Sequence, residues 1–408
     1  MLSENESLLF WWPVDDGYTT VSDDKERVGQ QAQPVPPQEP VTFLDIEIAQ
    51  PRVEQIQEIL RAVEGVERIN FWLEGAQKSG IFSALKACSS LKELGVYDDD
   101  DGLMVEHFEE ISEISSLRKV HVGYANLSKE KFAPLAEMKH LEAFFLEESD
   151  GVDADIVRLL PRMQGLRELF LEINDWMVEE VVLSIESLSQ LQSLSFDYSG
   201  EAHDLSFEGG LSFLRKMRGL QTLSLRSYLL DAAQMADIAR CESIEHLTLD
   251  SCDWKKGTLE GCATMPNLRR LQVVFFDPEQ PVDWLFLEPM QALTEFSFEG
   301  TEISKTLSRV LPQLRGLQRL ELTGAMDEKD KEKLLAALPS TVTTVLEITK
   351  KGTAAWIKGL VQWGTSFAVG VGGGTLLYRF GMLTEGWMFG LFLVAVVAGA
   401  VAEAYLTD

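Results

Sequence analysis

Leu166-Arg167-Glu168-Leu169-Phe170-Leu171 is followed 25 residues later by Leu191-Gln192-Ser193-Leu194-Ser195-Phe196, and this shared L-x-x-L-x-L frame decides how the chain folds. Apolar residues alternate with others across the second half of each hexamer, the signature of a strand with one buried face. Working outward, the frame recurs at steps of 24 to 26 residues as Leu91/Leu94/Val96, Leu117/Val120/Val122, Leu141/Phe144/Leu146, Leu220/Leu223/Leu225, Ile244/Leu247/Leu249, Leu268/Leu271/Val273, Leu293/Phe296/Phe298 and Leu317/Leu320/Leu322. One step is longer, from Leu191 to Leu220, and implies an inserted loop around Gly200 to Gly210 that carries His203 and Asp204. Upstream, Val66/Ile69/Phe71 and Val41/Leu44/Ile46 keep the spacing; downstream, Val342 and Val345 continue it with Glu347 in the third place. A unit this short cannot bury its own apolar face, so units must stack and share one core, with atypical units at the ends.

Between the frames, apolar residues recur at intervals of three and four. Val53, Ile56, Ile59, Leu60 and Val63 predict one helix, and Ile156, Leu159, Leu160 and Met163 another. Strand plus helical back, repeated at this length, resembles the leucine-rich-repeat family, and the resemblance runs from about Val41 to Lys350. The family's Asn or Cys, three places after the frame, is matched at Asn174 and Cys252 and replaced by Ser149, Ser199 and Thr301. It is absent at Asp99, Ala125, Tyr228, Phe276 and Ala325. Unit length and helical backs are similar to the ribonuclease-inhibitor and cysteine-containing branches. The resemblance implies an α/β solenoid, a horseshoe with a parallel β-sheet on its concave face and helices on its convex face.

Strand alternation then specifies the concave surface. Residues between the two core positions include His121, Phe145 and Phe170, and those just after the frame include Glu147, Glu172, Asp197, Arg226 and Asp250. Phe145 and Phe170 fall at equivalent sites of successive units, so they should lie about 4.8 Å apart along the ladder. Aromatic anchors beside an acidic stripe suit a basic, partly apolar protein partner. The competing account is that a solenoid tolerates a few exposed rings and that acids keep its surface soluble.

A formal net charge of -29 speaks against nucleic acid, since such a chain repels phosphate backbones. After Ser340, four basic residues balance four acidic ones, so the excess belongs to the repeats. The four cysteines form no C-x-x-C pair, which speaks for buried thiols and against a structural metal. The consecutive acids Asp98 to Asp101 lack the spaced ligands of a calcium loop and read as a solvated strand exit. No histidine stands in a nucleophile motif, so neither catalysis nor a cofactor is expected.

The chain divides into a leader without periodicity (1–40), the solenoid (41–350) and a hydrophobic C-terminal segment (351–408). The leader ends in a Pro-rich stretch, and Phe10, Trp11 and Trp12 within it are either a docking motif or a cover for the first unit's edge. No signal peptide is recognisable in it. The stretch from Gly359 to Tyr378 has 20 uncharged residues and that from Gly386 to Ala402 has 17, with only Arg379 to Glu385 between them. Such lengths predict a helical membrane hairpin, with Phe367, Leu376, Leu377, Trp387, Phe389, Leu391, Phe392 and Leu393 as membrane residues. A buried helical pair capping the last unit is the alternative. Lys350, Lys351 and Lys358 favour a cytoplasmic repeat domain at the membrane. The function expected is a membrane-tethered scaffold that binds a protein through its concave face. The runner-up is a membrane-active protein whose glycine-rich hairpin oligomerises into a pore. Neither composition nor spacing indicates an oligomeric state.

Overall fold

The structure is a computed structural model that describes residues 10–14, 18–22, 41–48, 50–63, 65–98, 102–149, 152–173, 178–198, 210–255, 257–274 and 282–350. Seventeen strands are present among them: β1 (Phe10–Val14), β2 (Tyr18–Ser22), β3 (Phe43–Glu47), β4 (Arg68–Leu73), β5 (Glu93–Asp98), β6 (Lys119–Gly123), β7 (Ala143–Glu147), β8 (Glu168–Ile173), β9 (Ser193–Tyr198), β10 (Thr222–Arg226), β11 (Leu229–Leu230), β12 (His246–Asp250), β13 (Asp253–Trp254), β14 (Arg270–Val274), β15 (Glu295–Glu302), β16 (Arg319–Met326) and β17 (Thr343–Lys350). Fifteen form one sheet in chain order, while β11 and β13 pair separately. From β2 onward every pairing in the long sheet is parallel, and only β1 runs antiparallel, to β2.

Register follows the frame residue for residue. Leu94 pairs with Val120, Phe144 with Leu169, Leu194 with Leu223 and Leu247 with Leu271. The ladder continues upstream of each strand, because the residue after the first frame leucine donates its N–H to the preceding unit: Arg118 to Lys92 O at 2.7 Å, Arg167 to Glu142 O at 2.7 Å, Arg269 to Glu245 O at 2.8 Å. Register is specified strongly because a slip of one residue would turn every core side chain outward. One continuous apolar core runs from Val41 to Val342. The solenoid expected from the frame is therefore present, a parallel ladder backed by short helices.

Those backs are less regular than the periodicity predicts. Among the described residues eight segments are α-helical: α1 (Val53–Ala62), α2 (Val105–Ser112), α3 (Lys129–Ala136), α4 (Ala154–Val157), α5 (Val178–Ile185), α6 (Ala232–Ala239), α7 (Lys305–Val310) and α8 (Glu328–Ala337). Ser83–Ala87, Ser212–Lys216, Leu259–Thr264 and Trp284–Leu287 are 3-10 turns instead. The single helix expected over Ile156 to Met163 is split into α4 and a 3-10 turn, Leu160–Arg162, although all four of its apolar residues are buried. Pro161 sits in that turn and Pro312 in its counterpart Leu311–Gln313; without an N–H, proline cannot carry the α ladder on. Side chains of Ser128, Asp153, Asp231 and Ser304 cap α3, α4, α6 and α7. Glu110 of α2 reaches into the preceding unit and accepts the N–H groups of Phe82 and Ser83, both at 3.1 Å, so adjoining backs are tied together.

Two details correct the sequence reading. Val345 pairs with Glu321 rather than with a core position and is 45% exposed, so the last frame is shifted by one residue and Leu346, paired with Leu322, takes the inward place. The physical reason is a shorter loop: Val342 keeps its burial but is one residue nearer the strand than in other units. Asp98 is not a solvated loop residue. It ends β5 on the inward alternation of Leu94 and Val96, is buried, and accepts the Leu103 N–H at 2.9 Å. Asp99 to Asp101 lie outside the described residues, as do His203, Asp204 and Asn174.

Within 1–40, read above as a leader without periodicity, Phe10–Val14 and Tyr18–Ser22 add two strands to the first edge of the sheet. No described helix is long and apolar enough to cross a membrane. Phe367, Leu376, Leu377, Trp387, Phe389, Leu391, Phe392 and Leu393, with the whole segment 351–408, lie outside the described residues.

Candidate functional site

Each strand offers three outward residues on the face of the sheet opposite the helical backs, and parallel pairing lines them up in rows. In the middle row Gly95, His121, Phe145, Phe170 and Ser195 are successive partners. The His121 imidazole stacks on Phe145 with ring centroids 4.0 Å apart, and Phe145 on Phe170 at 6.4 Å. All three are half-buried. The spacing expected along the ladder thus brings these rings together, on the open face and not in the core.

The row at the strand exits holds Trp72, Tyr97, Gly123 and Glu147, then Glu172, Asp197, Arg226 and Asp250. Trp72 and Tyr97 stack at 4.3 Å, and Tyr124 tilts against Tyr97 at 6.4 Å. Trp72 is 39% and Tyr124 40% exposed. The sequence reading misses this second aromatic cluster. Trp72 could be found from its place just after the upstream frame. Tyr124 could not: alternation points it inward, and only its left-handed backbone, φ 56°, turns it out. Tyr97 lies down over two glycines. A Cβ on Gly123 would come 2.6 Å from the Tyr97 ring and one on Gly95 3.0 Å from it, so both positions must lack a side chain for the ring to rest there. Burial, followed by the nearby carboxylate of Glu147, pushes the Tyr97 phenol up to about 12.

Most acids on this face have a basic partner. Glu93 binds Arg68 and, at 3.0 Å, His121 Nε2. Burial disfavours its charge, yet the hydrogen bonds from His121 and Arg68 outweigh that and hold the carboxyl down at about 2. Lys119 reaches Glu168 at 3.4 Å, across the small Ala143. Arg226 bridges Asp197 at 3.3 Å and Asp250 at 3.4 Å. Arg270 pairs with Glu295 and Arg319 with Glu321.

Glu147 and Glu172 differ: among the described residues no Lys or Arg forms an ion pair with either. Glu172 accepts the Glu148 N–H instead. That bond is local to this unit. Tyr124, Ser227 and Ser251, which share the left-handed exit conformation of Glu148, donate to main-chain carbonyls of the next strand at 3.2, 2.9 and 2.6 Å. Burial, and then the neighbouring charges of Glu148 and Glu172, push the Glu147 carboxyl up despite the favourable His121. Burial likewise raises Asp197, with Arg226 opposing it. The site residues read from the sequence thus fall into two groups, an aromatic and acidic patch on β6 to β8 and an Asp197–Arg226–Asp250 bridge on β9 to β12, in which one guanidinium answers two carboxylates. Among the described residues no group of three His, Cys, Asp or Glu is placed to hold a metal ion.

No protein-family model matches the sequence, and no curated protein matches it either. Among solved structures, an internalin from Listeria monocytogenes is similar with a TM-score of 0.45 and 15% identity, covering 76% of this chain and 87% of that one. A leucine-rich-repeat protein from Leptospira interrogans is similar with a TM-score of 0.39 and 12% identity, covering 75% and 90%. An internalin C2 from Listeria monocytogenes is similar with a TM-score of 0.35 and 16% identity, covering 52% and 83%.

Proposed function

We propose that this protein is a non-catalytic recognition scaffold that binds a protein partner on the open face of its sheet and is held at a membrane by residues 351–408. The observation that carries the first half is the half-exposed stack His121–Phe145–Phe170 beside two carboxylates without counter-charge. Exposed rings in a regular sheet contribute little to its stability but serve well as anchors, since aromatic and Arg residues dominate binding energy at interfaces. The acidic wall selects a basic partner and disfavours nucleic acid. The second half rests on two uncharged stretches of 20 and 17 residues, long enough for a helical hairpin, and on Lys350, Lys351 and Lys358, which favour a cytoplasmic side for the repeats.

Affinity purification of the full chain from solubilised membranes tests the reading. Glu147→Lys/Glu172→Lys/Phe170→Ala should abolish capture of the partner, whereas Glu54→Lys/Glu58→Lys, an equal charge change on α1, should leave it intact. Equal capture by all three would overturn the proposal. The glycines Gly370, Gly372, Gly373 and Gly374 favour one second reading, in which close helix packing lets the hairpin oligomerise into a pore. Leakage from liposomes treated with residues 354–408 would support that; intact liposomes would remove it.

A further inference from the structure

Near the start of the solenoid, two successive backs differ in length. α1 has ten residues, whereas the next unit is backed by the five-residue 3-10 turn Ser83–Ala87. A helix of that size is about 15 Å long and the turn about 10 Å, so the last turn of α1 reaches past its neighbour. The small side chains of Ala84 and Ala87 leave the space beside it open. The result is a cleft of about 490 Å³ on the convex side, bordered by Leu60, Arg61, Val63, Ala84, Cys88 and Ser89. That volume lies among those of small-molecule sites, roughly 300–1,000 Å³. We infer that the cleft binds an apolar chain ending in a carboxylate, with the chain on Leu60, Val63 and Ala84 and the carboxylate on Arg61.

Leu60, Ala84 and Cys88 pack at the margin of the core and stay half-buried, so an apolar chain laid over them covers surface that the fold leaves in contact with water. The polar groups of the lining differ in whether the protein already uses them. Ser90 donates its hydroxyl to Val66 O at 2.8 Å, and Cys88 Sγ lies 3.7 Å from the same carbonyl. Arg61 has no acid partner among the described residues and reaches Gln57 Oε1, one turn earlier, at a long 3.5 Å. Ser89 forms no side-chain hydrogen bond among them. Two donors, one charged, thus border an apolar floor, and among the described residues no carboxylate lines the cleft. A cationic ligand would meet the charge of Arg61, and a neutral one would leave it unanswered, whereas a carboxylate takes charge-assisted hydrogen bonds from the guanidinium. Arg61 stands in the last turn of α1, where the helix dipole disfavours an anion, so binding depends on this one side chain.

The cleft contains its own reporter, because Cys88 lines it and is partly exposed while the other three thiols are buried. The test follows alkylation of Cys88 by N-ethylmaleimide, read by mass spectrometry, in the full chain held in lipid nanodiscs, and takes the ratio of rates without and with ligand. Hexanoate should slow alkylation saturably, by at least about threefold, because a filled cleft shields the thiol. Hexanol and hexylammonium, of the same length, should slow it far less. Arg61→Gln should remove the protection given by hexanoate, and Arg61→Lys should keep part of it. N-acetyl-alanyl-leucine presents the same carboxylate on a peptide; if it protects more strongly than hexanoate and loses this in Arg61→Gln, the site stands with a peptide C-terminus rather than a fatty acid as its source. Ala84→Leu, which fills the cleft from its floor, should abolish protection with Arg61 intact, and thermal melts establish that each variant folds. No protection by either carboxylate, equal protection by hexanol, or protection that survives Arg61→Gln would overturn the site.

Discussion

The imidazole of His121 lies flat against the ring of Phe145, 4.0 Å between centroids and 3° from parallel, while its Nε2 meets Glu93 at 3.0 Å. One side chain thus joins the ionic cluster of β4 and β5 to the aromatic stack of β6 to β8. A double-mutant cycle with His121→Leu and Phe145→Leu, followed by chemical denaturation, should give a coupling of about 0.5–1.5 kcal/mol. A coupling indistinguishable from zero would mean that the stack has no energetic content.

Gly123 supports Tyr97 by having no side chain. Gly123→Ala places a methyl 2.6 Å from the ring, which must lift off the sheet. Stability should fall by about 1–3 kcal/mol, as overpacking costs elsewhere. The phenol, no longer pressed down beside Glu147, should titrate below its present value of about 12 in an ultraviolet pH titration. An unmoved phenol would show that the ring stays in place.

Glu93 and Glu147 should respond to pH with opposite signs. The folded carboxyl of Glu93 is depressed, so its stabilising contribution is present above the ordinary carboxylate range and is lost as pH falls toward about 2. Glu147 is raised: folding favours its protonated form, an advantage present at low pH and lost as pH rises through its folded value. Melting curves should therefore show Glu93→Gln destabilised at pH 7, with the loss shrinking in acid. Glu147→Gln should be stabilised at pH 7 and indistinguishable from wild type in acid. The same sign for both at pH 7 would contradict these assignments.

Thiol chemistry reads the core directly. Cys88 is partly exposed, whereas Cys241, Cys252 and Cys262 are buried. Burial pushes the thiols of Cys252 and Cys262 up to about 12, leaving almost no thiolate at neutral pH. A thiol-specific reagent should modify Cys88 in the native protein within minutes and the other three only as the solenoid unfolds. Rapid loss of all four would mean the repeats open far more readily than their packing implies.

The inner wall needed no coordinates because its determinants are local and repeated. A side chain's face follows from a period of two, and its row from the step of about 25 residues, so Phe145 and Phe170 could be set side by side from spacing alone. Spacing loses its hold wherever a unit departs from its neighbours. Val345 belongs in the core only if loop length stays constant, and Asp98 in a loop only if the strand ends at its frame; neither condition holds.

Sequence alone thus determined the parallel ladder and, wherever a unit keeps the frame, its register and outward residues, because burial of periodic apolar side chains leaves little freedom. What only the tertiary structure decided is which of those residues act together. Arg226 takes Asp197 and Asp250 out of the acidic stripe, Tyr124 is turned outward by one positive φ, and Tyr97 lies across two glycines. Those outcomes depend on side-chain conformers and on charges from neighbouring units, which interact through space and leave no periodic trace in the chain.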